Sequence, residues 1–288
     1  MKVSGFTFIR NGTLLGYPYV ESIKSILPIV DEFVVNVGYS DDDTLERIKD
    51  IGDPKIRIVE SAWNENMADR GFVYAQQTMI ALYNCTGDWA FYIQGDEVVH
   101  ENDLPNIKTA FEKAHADDRV EGLVFDYYHF FGAVDTIAIS PAWYRREVRA
   151  VRNSIRTFLP SDAQFFLVME KNRRGRYPRV IPANAHIYHY GHVRPAAAMQ
   201  EKMVQVSKYW GHQPPDFQKY SIDPKAITHF EGSHPTILSS WIEEFAEKSF
   251  QPPSSYRPSK RELRHRMAMK IETLLGIQLG KKHFKVVA

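Results

Sequence analysis

The sequence predicts an α/β fold: a mostly parallel sheet flanked by helices, followed by a helical C-terminal extension. Over the first hundred residues, short runs rich in β-branched and aromatic residues alternate with segments of helical period. Beyond about residue 195, helical periods dominate. A chain of 288 residues, 44% hydrophobic and 25% charged, is long enough for a sizeable core and ordinary in balance for a globular protein. The boundary is expected near 195, dividing residues 1–195 from an extension over 196–288.

Taken in order, Val3–Ile9 reads as the first strand, and Arg10-Asn11-Gly12 as the loop that ends it. Pro18 opens a helix with Val20, Ile23, Ile26 and Leu27 on one face, and Pro28 stops it. Phe33–Val37 is the second strand, followed by the polar loop GYSDDDT. Leu45, Ile48 and Ile51 mark a short helix, and Lys55–Val59 a third strand. Phe72, Ala75, Met79 and Leu82 have the spacing of a buried helix face. Trp89–Ile93 is a fourth strand. A helix through Ile107, Phe111 and Ala114 and a strand over Gly122–Tyr128 follow, then a mixed region to Arg194. Met199, Met203, Val206 and Trp210 lie on one helical face, as do Ile242, Phe245 and Ala246 further on. Pro214-Pro215 and Pro252-Pro253 break the extension into pieces.

The net charge of +1 conceals an asymmetric tail. Between Arg257 and Lys285 there are nine lysines and arginines against Glu262 and Glu272, a balance of +7 that leaves −6 on residues 1–256. Ser259 and Glu262 form a capping-box pattern, and Leu263, Met267, Ile271 and Leu274 follow at helical spacing up to Gly276. Such a basic amphipathic helix suits peripheral contact with an anionic membrane, and equally suits packing on the domain with its charges solvated. Nucleic acid is disfavoured, because the remainder of the chain is acidic and has no basic stripe interleaved with aromatics. The opening MKVSGFTFIRN lacks an apolar run of signal-peptide length, and the lone Cys85 suits a reducing compartment, so the cytoplasm is expected.

The chemistry concentrates in FYIQGDEVVHE, residues 91–101, where a strand runs into Gly95-Asp96-Glu97. Neighbouring carboxylates repel each other and are costly to desolvate. They become favourable when a hard divalent cation bridges them to a ligand phosphate, which points to Mg²⁺ or Mn²⁺. In open α/β sheets ligands sit beyond the carboxyl ends of the strands. Asp96, the loop over residues 36–43 and Arg10-Asn11 all fall there, and Gly95 leaves room for close approach.

Two longer stretches extend this. FTFIRNGTLLGYPYVESIKSILPIVDEFVVNVGYSDDDT and WNENMADRGFVYAQQTMIALYNCTGDWAFYIQGDE resemble, in order, the nucleotide-binding half of the GT-A glycosyltransferases, in particular bacterial family 2-like enzymes. The resemblance spans residues 3–195. It implies a nucleotide-diphospho-sugar donor, a saccharide or lipid-linked acceptor hydroxyl, and a metal-dependent transfer that inverts by direct displacement, of the kind used in polysaccharide biosynthesis. By the same resemblance Asn36, Ser40 and Asp41 hold base and ribose, and Asp69 and Arg70 lie near the diphosphate. Asp96 is the metal-binding Asp of an Asp-X-Asp motif whose first Asp is Gln94, with Glu97 and His189 as further metal ligands. Arg-Asn-Gly at residues 10–12 departs from the Asn-Glu common in the family.

SDAQFF at residues 161–166 falls where the family places its catalytic base, which makes Asp162 the candidate, with Asp126 as competitor. Asp162 equally suits the cap of a helix over residues 163–169. His186, His189 and His192 recur every third residue, but a strand would turn alternate residues to opposite faces. Tyr127, Tyr128, Phe130 and Phe131 suit either ring stacking or the core, and Arg145, Arg146, Arg149, Arg152 and Arg156 read as a solvated basic surface. Two alternatives remain: a degenerate sugar-nucleotide-binding protein, favoured by Gln94, and a sugar-1-phosphate nucleotidyltransferase, disfavoured because TFIRNGTLLGYPY is poor in glycine. A Rossmann dehydrogenase is disfavoured because no Gly-X-Gly-X-X-Gly follows a strand.

Overall fold

The computed structural model describes residues 1–172, 174–214, 217 and 219–287. Its first half runs β1 (Val3–Ile9), α1 (Tyr19–Ile26), β2 (Glu32–Gly38), α2 (Thr44–Lys49), β3 (Ile56–Ser61), α3 (Phe72–Tyr83), β4 (Trp89–Tyr92), β5 (Glu97–Val99) and α4 (Leu104–Ala116). Then come β6 (Gly122–Phe131), β7 (Ala133–Ala138), β8 (Arg146–Arg152), β9 (Thr157–Phe158), β10 (Leu167–Met169), β11 (Gly175–Arg176) and β12 (Arg179–His192). The chain closes with α5 (Ala196–Trp210), β13 (Ile227–His229), α6 (Ser239–Phe245), α7 (Lys260–Leu275) and β14 (Lys285–Val286).

Eleven of these strands form one sheet. Its parallel part has the order β3-β2-β1-β4, and β8 joins β4 antiparallel. β6 pairs antiparallel with β8 and β7, and parallel with β12. β4, Trp-Ala-Phe-Tyr, is buried along its whole length, as expected of a strand covered on both faces. On one face Phe91 stacks on Phe125 at 5.2 Å, and Phe111 of α4 meets Phe91 edge-on at 5.8 Å. Each such side chain contributes roughly 1.5–3 kcal/mol on burial. α4 buries Ile107, Phe111 and Ala114, the three residues whose spacing predicted it.

Several expectations are corrected. In α3 the buried face is Val73, Ala75, Gln77, Thr78, Ala81 and Leu82, with Phe72 and Met79 only partly covered. Residues 163–169 form no helix: Ser161 and Ala163 take positive φ of 63°, and the chain enters β10. The arginine series is solvated only in part: Arg156 is exposed, whereas Arg149 on β8 is fully buried. Arg152 donates to the carbonyls of Ala114 and Asp117 at the end of α4. The aromatic run of β6 is core, with Phe130 stacked on Tyr190 at 4.6 Å and Tyr128 on His186 at 4.4 Å. Beyond residue 195 the chain is not purely helical: β13 adds to β7, and β14 pairs with β12. Pro215, half of the predicted Pro214-Pro215 break, lies outside the described residues. No described helix is long and apolar enough to cross a membrane.

Candidate functional site

A cleft opens at the carboxyl ends of β1 and β4, roofed by α5. β1 delivers Ile9, Arg10 and Asn11 to it; the turn after β4 delivers Gln94, Gly95 and Asp96. Asn11 sits in the left-handed region (φ 52°), which a short amide side chain tolerates. Its N–H donates to Ser40 Oγ at 3.0 Å. Its side chain exchanges two hydrogen bonds with Asp41, accepting from the backbone N–H at 2.8 Å and donating to the carboxylate at 3.3 Å. The loop after β2 is thereby stitched to the end of β1.

Asp96 is at the floor. Its Oδ2 lies 3.4 Å from the Lys202 ammonium and 3.7 Å from His189 Nε2. Lys202 also donates to the Gly191 carbonyl at 2.8 Å. The face of Tyr17 holds two cations, the Arg194 guanidinium at 4.7 Å and Lys202 at 4.9 Å. Arg194 is buried, and its Nε and Nη2 have no hydrogen-bond partner among the described residues. Burial pushes the Asp96 carboxyl up, but His189, Lys202 and Arg194 outweigh it and hold the group below the usual carboxylate range. Burial, with Arg194 adding repulsion, brings the Lys202 ammonium down to about 7 against the pull of Asp96. Burial lowers His189 as well, against the pull of Asp96 and Glu97. A register shift in β12 between His189 and His192 overrides strict alternation and leaves the two rings 6.2 Å apart. Gly191 is required there: a Cβ would lie 2.7 Å from both Asp96 Oδ2 and His189 Nε2.

Asp162 lines the same cleft from the turn before β10. Burial raises its carboxyl above the ordinary value, and the N–H donors of its turn offset this only in part. The opposite wall is aromatic. Trp63 meets Tyr74 at 5.5 Å and Tyr209 at 5.4 Å, Tyr74 meets Trp210 at 5.5 Å, and Arg10 lies 5.5 Å above the Trp63 ring. Trp210 packs over Gly71, whose φ of 72° and missing side chain both serve this contact: a Cβ would lie 2.5 Å from the indole.

The structure therefore brings Arg10, Asn11, Gln94, Gly95, Asp96 and Asp162 into one cleft, with His189 beneath and Ser40 and Asp41 braced against Asn11. It removes others. Glu97 turns into the core, where Arg149 grips it through Nε at 3.0 Å and Nη2 at 2.7 Å, and the Tyr127 hydroxyl donates at 2.8 Å. Both of its oxygens are thus engaged, and it is not free to hold a metal. Asn36 is buried under α3, donating to the Gln77 backbone and side-chain oxygens at 2.8 and 2.9 Å, so it contacts no ligand in the cleft. Asp69 and Arg70 are exposed in the turn before α3, outside the cleft lining. Asp126 pairs with Arg146 at 3.2 Å on the sheet, also outside it.

With Glu97 withdrawn, the expected ligand set for Mn²⁺ or Mg²⁺ shrinks to Asp96 and His189, and the Asp96 oxygen facing His189 already carries a lysine. Among the described residues no three His, Cys, Asp or Glu side chains are grouped to hold an ion. Mg²⁺ and Mn²⁺ take oxygen donors, one or two carboxylates together with substrate phosphate, and here the one carboxylate left, Asp96, has an ammonium 3.4 Å from its Oδ2.

Sequence periodicity missed Tyr17, Lys202, Arg194, Trp63, Tyr74 and Tyr209. For the four aromatic residues the 13% aromatic content was the only general signal. The partners converge from segments up to 199 residues apart, as in the bond from Arg10 to the Tyr209 hydroxyl.

No family model and no curated protein matches the sequence. Among solved structures, S. aureus TarS aligns over 72% of this chain and 39% of its own at 16% identity, with a TM-score of 0.40. S. aureus TarS 1–349 in complex with UDP aligns over 72% and 64% at 16% identity and TM-score 0.39. Its complex with UDP-GlcNAc aligns over 72% and 65% at 15% identity and TM-score 0.38. The chain thus spans less than two thirds of the length of these structures.

Proposed function

We propose that the protein is a glycosyltransferase that takes a sugar from a nucleotide-diphosphate donor and passes it to an acceptor hydroxyl by direct displacement. One observation carries the reading. A carboxylic acid raised by burial, Asp162, and a fixed ammonium, Lys202, line one cleft at the carboxyl ends of parallel strands, beside an aromatic wall. That is the charge pattern such a displacement needs, a base on one side of the reacting carbon and a cation on the other.

In this reading Asn11 and the Ser40–Asp41 loop border the nucleoside, while the wall of Trp63, Tyr74 and Tyr209 takes a flat ring by stacking. The diphosphate lies towards Lys202, with Arg10 at the rim. Lys202 takes the place of the expected divalent ion: held by Asp96 and Gly191, it neutralises the charge that builds on the leaving diphosphate. Asp162 accepts the proton of the acceptor hydroxyl as its oxygen bonds to the anomeric carbon. The bond from that carbon to the diphosphate oxygen breaks with its electron pair, and the configuration inverts.

The test is a screen of uridine, guanosine and thymidine diphospho-sugars by thermal shift in EDTA, followed by donor-hydrolysis assays of the wild type and Asp162→Asn. A nucleotide-sugar at about 100 times its Kd stabilises the protein by ~2.7 kcal/mol. Stabilisation together with turnover that Asp162→Asn abolishes supports the transferase. Stabilisation without any turnover makes the protein a binder, and no stabilisation by any donor removes the proposal.

A further inference from the structure

We infer that α7 is a docking surface for an anionic lipid bilayer. A surface helix ordinarily turns its apolar stripe to the core and its charges to water. In α7 the arrangement is reversed. None of its sixteen residues is buried. The side chains half-covered by the body are Glu262, His265, Arg266 and Glu272, with Ala268 and Met269 between them. Leu263, Met267, Ile271, Leu274 and Leu275 all face solvent, with Met267 65% and Leu274 83% exposed. At 100° per residue these five fall on one side of the helix, opposite the body.

The polar contacts fix this orientation. Arg266 grips Asp223 through two bonds of 2.6 and 2.7 Å, and Glu272 takes Arg145 at 2.9 Å. Ser259 and Glu262 close the capping box, and Glu262 also takes the Tyr256 hydroxyl. Both acidic residues of the helix are therefore spent on the inner side. The outer side carries Lys260, Arg264 and Lys270 around the apolar stripe and no acidic residue. The exposed apolar side chains Ile277 and Leu279, and then Lys281 and Lys282, continue the same composition past Gly276.

Charge complementarity selects the occupant. The same face of a second copy would place these basic residues against themselves, parallel or antiparallel, and like charges in contact repel. A surface of anionic headgroups over acyl chains accepts both parts at once, apolar side chains entering the interface and lysines and arginines meeting phosphate.

The full-length protein should co-sediment with phosphatidylcholine vesicles containing 30–40% phosphatidylglycerol (roughly the charge density at which polybasic segments bind), more weakly at high salt, and not with phosphatidylcholine alone. Met267→Glu with Leu274→Glu should abolish that binding while leaving the unfolding transition in place. Lys260→Gln and Arg264→Gln should each weaken it about fivefold. Failure to bind anionic vesicles, or binding that the glutamate variants leave intact, overturns the inference. So does a dimer in solution that the glutamate variants dissociate, since the face would then belong to a second copy.

Discussion

Arg149 and Glu97 meet 2.7 Å apart with neither side chain accessible to solvent. The pair joins β8 to the turn that presents Asp96, because Glu97 Oε2 also accepts from the Gln94 N–H at 3.1 Å. An ion pair in such a place is matched by desolvation as long as both partners remain, and becomes a liability once one is removed. Arg149→Met should therefore destabilise the protein by about 3–5 kcal/mol, read from urea unfolding. A loss below about 1 kcal/mol would show that Glu97 is not held as described.

Lys202 gives the second prediction. If the ammonium does the work of a divalent ion, donor binding and turnover should persist in EDTA, and added Mn²⁺ should not raise them. Lys202→Ala should weaken donor binding about 10- to 150-fold, the worth of a hydrogen bond to a charged group. Titration calorimetry with the donor found in the screen measures this. Activity lost in EDTA and restored by Mn²⁺ would return the cation role to a metal.

The pH profile is the third. Asp162 must be ionised to accept a proton, and burial raises it above 3.8, so kcat/KM should fall as pH drops through a value above the ordinary aspartate range. Lys202 must be protonated, and its pKa of about 7 places a second fall as pH rises through neutrality. The result is a bell. Lys202→Arg keeps its charge at every pH and should remove the alkaline limb while leaving the acid limb unchanged.

Gly191→Ala is the fourth. The added methyl would fall 2.7 Å from Asp96 Oδ2 and His189 Nε2, so one of these side chains must shift, and either shift disturbs the contacts around the Asp96 carboxylate. Turnover should fall by tenfold or more, with circular dichroism unchanged. Wild-type turnover would mean that the Asp96–Lys202 contact is dispensable.

The parallel half of the fold was legible because each of its elements carries its own signal. Val3–Ile9 and Trp89–Tyr92 are apolar runs of strand length, and Ile107, Phe111 and Ala114 report a helix by spacing alone. The antiparallel half was legible only in β6, expected over Gly122–Tyr128 and found over Gly122–Phe131. Arg146–Arg152 reads as basic and solvated, and only its pairing between β4 and β6 buries Arg149. The site divides in the same way. Asp96 could be placed by local pattern and Asp162 by the family resemblance, whereas Glu97 could not be told from a ligand without knowing where Arg149 sits. Asn36 shows the same gap: it ends the right strand, but α3 lies on it and takes its amide.

The strand β14 also bears on how the tail behaves. Arg179 and Val180 of β12 pair with Lys285 and Val286, and His283 reaches the buried Glu147 at 2.7 Å. Together with Arg266–Asp223 at its middle, this clamps α7 at several points along the molecule. The helix is thus held to the body through Arg266 and Glu272, and the chain beyond it through His283 and β14. Anything that seats against it meets the molecule through these contacts, so the direction in which the cleft mouth faces follows from how α7 is seated.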